Sequence, residues 1–345
     1  MRIAVDVMGG DHGCVVAISG VKAALANDSS IAAILLVGRE GEIQAALKQN
    51  QLADPRVQII PASEVLTMDD KPLEGIRKKK DSSMVRAIEL VRNGKADAVI
   101  SPGNTGALVA GSMKLGRLDG VERPAIACRM PSRTQEFVLL DAGANAVCEP
   151  QHLAQFAVMG SLYASEILSL SKPRVGVLSN GSEESKGNDL TREAARLCAL
   201  LDLNFIGYVE GFDLFNDGVD VVVCDGFVGN IVLKTAESLG SNILRLLKQE
   251  LTATLTRKLG AWLARGAFRG LKRRMDPEVY GGAVLLGLNG VVIKAHGGSR
   301  ERAIASAVRV AAQEIKHDLN QILISRIAEA NERLANAAES TPPEA

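Results

Sequence analysis

Aromatic side chains are scarce in this 345-residue chain, at 3%, with a single tryptophan, Trp262. Its core must therefore be aliphatic, and the 47% hydrophobic content supplies that while excluding intrinsic disorder for most of the length. Net charge is lacking as well. Forty Lys and Arg balance forty Asp and Glu, whereas a global nucleic-acid binder carries a basic excess, so no nucleic-acid partner is expected. Cysteines are few, odd in number (Cys14, Cys128, Cys148, Cys198, Cys224) and without a Cys-x-x-Cys pair. That pattern fits reduced, buried thiols and excludes a disulfide framework or a zinc knuckle. No run reaches the ~18 apolar residues of a spanning helix. The longest, Gly281 to Ile293, is broken by Gly287, Asn289 and Gly290. The chain enters an apolar run at once (Arg2-Ile3-Ala4-Val5-Asp6), without a signal-peptide pattern. A soluble, cytoplasmic protein is the expectation.

What is present is alternation. Short apolar runs predict strands at 3–7, 34–37, 57–60, 98–101, 125–129, 137–141, 175–178, 205–208, 221–224 and 291–294. Helical periodicity predicts helices near 15–26, 40–49, 83–93, 105–116, 151–168, 188–201 and 229–250. This order predicts an α/β fold: a mostly parallel sheet with flanking helices on both faces. Residues 1–337 read as a single α/β catalytic domain with a helical excursion at about 241–275, and 338–345 as a disordered tail.

Polar, glycine-rich loops follow six of the strands: 8–13, 101–106, 141–145, 179–188, 224–230 and 295–299. Ligands of an open parallel sheet bind beyond the carboxyl ends of its strands, so these loops are expected to converge on one crevice. Glycine lets backbone N–H groups approach a ligand, and helix N-termini attract anions. An anionic ligand is the expectation; loop bracing and helix capping are the plainer reading of each loop alone. Nucleotide-binding motifs are absent: there is no GxxxxGK[ST], and no GxGxxG after the first strand. A GxSxG elbow and HExxH are missing too. No cofactor and no metal are expected; Asp6, Asp11, Asp141 and Asp225 are the alternative carboxylate metal set. His12 and His296, beside glycines, are candidate site residues, whereas His152 and His317 read as structural.

The motifs DVMGGDHG at the start, SPGNTGALVAGS at 101–112, DAGAN at 141–145, HLAQFAVMGSLYA at 152–164, KGN at 186–188, VVVCDGFVGNIVLKT at 221–235, YGGAVLLGLNG at 280–290 and KAHGGS at 294–299 occur in this order. In this combination the chain resembles the bacterial phosphate acyltransferase family of phospholipid synthesis over residues 1 to about 335. Ser179 stands where that family carries Asn, and 182–185 reads Ser-Glu-Glu-Ser, a local departure. The resemblance implies transfer of a fatty acyl group from acyl carrier protein to inorganic phosphate, giving acyl phosphate and free carrier; phosphate is already an anion near neutral pH, and no covalent acyl-enzyme is expected. It implies a homodimer whose fold is similar to isocitrate and isopropylmalate dehydrogenases and to phosphate acetyltransferases. It also implies peripheral membrane association and a membrane glycerol 3-phosphate acyltransferase that consumes the acyl phosphate. Lys186, Asn230, His12 and His296 are the expected catalytic residues. Gly9, Gly10, Asp11, Gly103, Asn104, Thr105, Gly106, Asp141, Asn145, Glu184 and Asp225 are expected to bind substrate or phosphate. Rival readings are a short-chain phosphate acyltransferase using CoA thioesters, a decarboxylating dehydrogenase, and a non-enzymatic membrane scaffold.

Residues 241–275 hold nine basic residues against one acid, Glu250. Leu255, Leu259, Trp262, Leu263, Phe268 and Leu271 are interleaved with them. Two readings stand: an amphipathic hook for anionic lipid or acidic carrier protein, through Arg257, Lys258, Leu259, Trp262, Leu263 and Arg265, or a helix packed in a dimer interface.

Overall fold

The order of elements begins with β1 (Arg2–Asp6), α1 (Gly13–Asn27), β2 (Ala33–Gly38), α2 (Glu40–Gln49), β3 (Val57–Pro61), α3 (Pro72–Lys78), α4 (Ser83–Arg92), β4 (Ala98–Ser101) and α5 (Thr105–Ser112). The hairpin β5 (Ala125–Pro131) and β6 (Glu136–Leu140) leads to α6 (Pro150–Leu168), β7 (Arg174–Leu178), α7 (Asp189–Ala199), β8 (Asn204–Val209) and β9 (Val221–Val223). Next come α8 (Gly226–Thr252), α9 (Leu255–Leu263), α10 (Arg265–Arg274), β10 (Ala283–Leu286), β11 (Val291–Lys294), α11 (Glu301–His317) and α12 (Leu319–Ser340). The structure is a computed structural model and describes residues 1–183, 185–275 and 282–340.

The eleven strands of the described residues form one sheet in the order β3-β2-β1-β4-β11-β10-β5-β6-β9-β7-β8. Strands such as β2, Ala-Ile-Leu-Leu-Val-Gly and buried throughout, are apolar on both sides because helices cover both faces. One face packs side chains of α1, α6, α7, α11 and α12 around Ile18, Phe156, Tyr163 and Val308. The other packs α4 and α5 at one end and the Val232–Leu233–Ala236 side of α8 at the other. Local chemistry starts the helices where the loops end. Asn188 caps Thr191 of α7 in a reciprocal pair, and Asp225 accepts the N–H groups of Phe227 and Val228 at the start of α8.

The sheet is mostly parallel, as expected, but its two parallel halves run in opposite directions. β10 is antiparallel to β11 and to β5, and β5 is antiparallel to β6. Three reversals separate β11 from β6, so β6, β9, β7 and β8 point the opposite way from β1, β2, β3, β4 and β11. β10 is absent from the predicted strands. From Ala283 to Lys294 that apolar run folds as a hairpin instead, turned by glycines at 287 (φ 89°) and 290 (φ 157°), while Gly281 lies outside the described residues. Helices α3, α11 and α12 also go beyond the expectation. α12 runs to Ser340, so residues 338–340 are helical and not part of a tail; Ala-rich sequence sustains the helix. Residues 341–345 lie outside the described residues.

Candidate active site

At the carboxyl ends of β1, β4 and β11, three glycine loops interlock. Asp6 is buried and its Oδ2 accepts the Ser101 hydroxyl at 2.6 Å, while Oδ1 accepts the Met8 N–H. The two loops touch backbone to backbone: a Cβ on Gly9 would sit 2.8 Å from Cα and N of Gly103. Only glycine allows that approach. Asp11 donates its N–H to the carbonyl of Gly297 at 2.9 Å, which ties the first loop to the third. In the third loop His296 Nδ1 accepts the Gly298 N–H at 3.1 Å, so the neutral ring carries its proton on Nε2. Burial keeps this imidazole below its ordinary pKa. His12 sits at the N-cap position of α1 without a side-chain cap bond.

Asn104 is already spent. Its Oδ1 caps Ala107 and its Nδ2 donates to the carbonyls of Met68 and Asp70, so it braces α5 instead of facing a ligand. Gly106 packs against Pro72, where a Cβ would stand 2.7 Å from Cγ. Thr105 opens α5 and is partly buried.

The loops at 141–145, 179–188 and 224–230 do not join that group. They leave β6, β7 and β9 at the opposite edge of the sheet, because those strands run the other way. The expected single crevice of six loops is therefore corrected to two groups of three. Asp6 and Asp141 lie five strand positions apart, roughly 24 Å at the usual spacing. Asp6 and Asp11 thus do not gather with Asp141 and Asp225 as a carboxylate metal set. Asp141 is a brace: fully buried, it accepts N–H groups from Ile126, Gly143, Ala144 and Asn145 and the Asn145 amide. Burial pushes its carboxyl upward against the pull of those donors. Asn145 also donates to the Pro124 carbonyl, and Asp225 is consumed as the α8 cap. Lys186 folds its stem over Gly181, beside Gly187, whose φ of 83° suits glycine. Glu184 lies outside the described residues.

Helix α8 links the two groups. Asn230, in its first turn, is exposed and rests against Gly143. One turn on, Lys234 pairs with Glu237 at 2.9 Å, and both reach the field of Lys294 and His296 at the other edge. On this face the sheet between α5 and α8 carries partly buried side chains at Cys128, Ala283 and Lys294. Along it register aligns Ser101 with Lys294, Lys294 with Ala283, and Cys128 with Leu139. Lys294 is partly buried; its Nζ donates to the carbonyl of Pro102 at 3.2 Å and to that of Ala295. Burial, with Lys234 nearby, pushes its amine down to about 8. Cys128 is a free thiol pushed up to about 12 by burial, so it stays neutral. Lys234, Glu237 and Lys294 were not among the expected site residues. Lys234 and Lys294 lie inside the motifs at 221–235 and 294–299, with Glu237 two residues past the first, and a lysine at the end of an apolar strand was the readable signal.

The excursion is an extension of α8 followed by α9 and α10. No residue of α9 is buried, and Leu259 (61%) and Trp262 (58%) are exposed. Arg265 lies over the Trp262 ring at 5.2 Å, and Arg257 pairs with Glu250 at 2.7 Å. Lys258 and Leu263 are exposed beside them. Among the described residues, no helix is long and apolar enough to cross a membrane.

The fold is that of phosphotransacetylases. A phosphotransacetylase from Streptococcus pyogenes superposes with a TM-score of 0.63 at 21% identity, covering 92% of this chain and 94% of that one. One from Staphylococcus aureus gives 0.59 at 17%, covering 91% and 94%. The family model described as fatty acid synthesis protein matches residues 1–322. A phosphate acyltransferase from Geotalea daltonii is 46% identical over 330 residues, 95% of each chain. One from Syntrophotalea carbinolica is 47% identical over 335 residues, 97% of this chain and 96% of that one. This chain belongs to the fatty acid synthesis protein family, with these phosphate acyltransferases among its relatives.

Proposed function

We propose that the protein transfers a fatty acyl group from acyl carrier protein to inorganic phosphate, releasing acyl phosphate and the free carrier thiol. The observation that carries this reading is nearly full-length relatedness to proteins named phosphate acyltransferase. A phosphate oxygen attacks the thioester carbonyl, the O–C bond forms, and the C–S bond breaks with its electron pair on sulfur. Phosphate is an anion at neutral pH and a thiolate leaves readily, its thiol ionising near ~8.5, so no strong base is required. The enzyme's work is to place the reactants and stabilise charge on the carbonyl oxygen. Gly9, Gly10, Gly103 and Thr105 offer backbone and hydroxyl donors; Lys186 and Asn230 stand in the other loop group and are assigned to phosphate or the carbonyl on their motifs alone, so their variants test whether that group takes part. His296, neutral with its proton on Nε2, suits protonation of the departing sulfur, and His12 orients phosphate. The neutral Cys128 thiol favours direct transfer over an acyl-enzyme.

Residues 1–337 act as one catalytic domain in this reading. The protein works as a homodimer, for which α8 leaves Phe227, Ile231, Leu239, Ile243 and Leu246 exposed at helical spacing. The hook α9–α10 lies on anionic lipid or receives the acidic carrier, and a membrane glycerol 3-phosphate acyltransferase consumes the acyl phosphate. The test is purified protein with phosphate and either acyl-acyl carrier protein or acetyl-CoA. Acyl phosphate and free carrier thiol from the first donor, with little from the second, are expected. Preference for acetyl-CoA reassigns the protein as a short-chain enzyme, and no transfer from either donor leaves the scaffold reading.

A further inference from the structure

Lys294 has the surroundings of a cation that lacks its anion. It stands at the end of β11, on the sheet between α5 and α8, partly withdrawn from water. Two of its three N–H groups are held by the carbonyls of Pro102 and Ala295, which aims the ammonium between the loops after β4 and β11. Among the described residues it forms no ion pair. The charged groups facing it are Lys234 and Glu237 from α8, Asp6 at the end of β1, Asp11 in the first loop, and His296 in the third. Glu237 is engaged by Lys234, and Asp6 by Ser101 and the Met8 N–H; Asp11 is tied to Gly297 only through its backbone, and among the described residues none of the three forms an ion pair with Lys294. A cation removed from water without a close counter-ion is costly. A compact anion with several acceptor oxygens, placed beside Lys294, supplies that counter-ion, with the Lys234 charge nearby adding to its attraction.

We infer that Lys294 seats the phosphate that accepts the acyl group, with Lys234 on α8 closing the site from above. The inference rests on the proposed reaction and adds a substrate-binding residue to it. Phosphoryl oxygens could come from inorganic phosphate or from the phosphopantetheine arm of the donor, and kinetics separates the two. In K294M, the KM for phosphate should rise at least about tenfold while that for the thioester stays within about twofold. K294R should restore most of the loss. The wild-type profile of kcat/KM for phosphate should fall as pH rises through about 8, where the ammonium discharges, and K294R should lose that limb. A rise confined to the thioester KM assigns Lys294 to the pantetheine phosphodiester and overturns the inference. A second measurement is independent of turnover: phosphate should raise the Tm of wild type above that in chloride at equal ionic strength, but not that of K294M. If wild type forms no acyl phosphate, the proposed reaction fails while this measurement still decides Lys294. An equal phosphate shift in K294M and wild type overturns it; circular dichroism identifies a misfolded K294M, and K294R then carries the comparison.

Discussion

At the scale of single residues, loop polar groups divide into those that hold the protein together and those left free for a ligand. Asp141 belongs to the first kind. In D141A the N–H groups of Ile126, Gly143, Ala144 and Asn145 lose their acceptor inside the fold. A loss of at least about 3 kcal/mol is expected from the urea midpoint, since each buried orphan costs about 1–3 kcal/mol. Lys186 and Asn230 are the residues proposed for the second kind. K186A and N230A should keep the wild-type Tm and lower kcat/KM at least about tenfold, roughly 1.4 kcal/mol of transition-state stabilisation. Near-normal kinetics in both removes them from the mechanism. Glu314 is a third case, buried on α11 with Oε1 lacking a partner among the described residues and its carboxyl pushed up to about 8 by burial. Its unfolded counterpart ionises at 4.5, so between 4.5 and about 8 the folded state holds the extra proton and stability falls as pH rises. E314Q should flatten that part of the Tm–pH curve; an unchanged slope contradicts it.

Among the elements, α8 matters most, since it begins beside Asp141 and carries Lys234 to the neighbourhood of Lys294. Its first turn is fixed by contact at Gly229, where a Cβ would overlap the Asp141 carbonyl oxygen. G229A should therefore lift the helix, costing about 2 kcal/mol in stability by overpacking and lowering activity by displacing Lys234. Gly240, farther along the same helix, supplies the control: its Cβ would meet only Met275 at 3.4 Å. G240A should be neutral or stabilising by up to about 1 kcal/mol, because alanine is the better helix residue. Equal behaviour of the two variants in thermal melts refutes this account of α8.

For the whole molecule, the hook presents Leu255, Leu259, Trp262 and Leu263 to the outside, and its partner is decided by what covers them. Replacing Leu259 and Trp262 together by Glu removes two exposed anchors and adds two charges repelled by anionic lipid. Sedimentation with anionic vesicles should then collapse, while turnover of soluble acyl donor persists. Raising salt should weaken wild-type binding, because the Debye length shrinks to about 3 Å at 1 M. Unchanged vesicle binding together with loss of the dimer places the hook in the interface between subunits instead.

Much of this was readable in the sequence by itself. Local signals carry the α/β alternation, the strand-end glycine loops and the helix starts at Asn188 and Asp225, because each depends on near neighbours: side-chain period, φ freedom, or a cap three residues away. The motifs also carry the family. Strand direction lies beyond such reasoning. Whether β6 runs with β1 or against it depends on β10, whose Ala-Val-Leu-Leu has no polar alternation to mark it as an antiparallel link. That reversal parts Asp141 from Asp6 and leaves α8 to carry Lys234 back across the sheet to Lys294. Only the tertiary structure could decide this, since a lysine's neighbours sixty residues away are set by packing and pairing and leave no mark on its own segment.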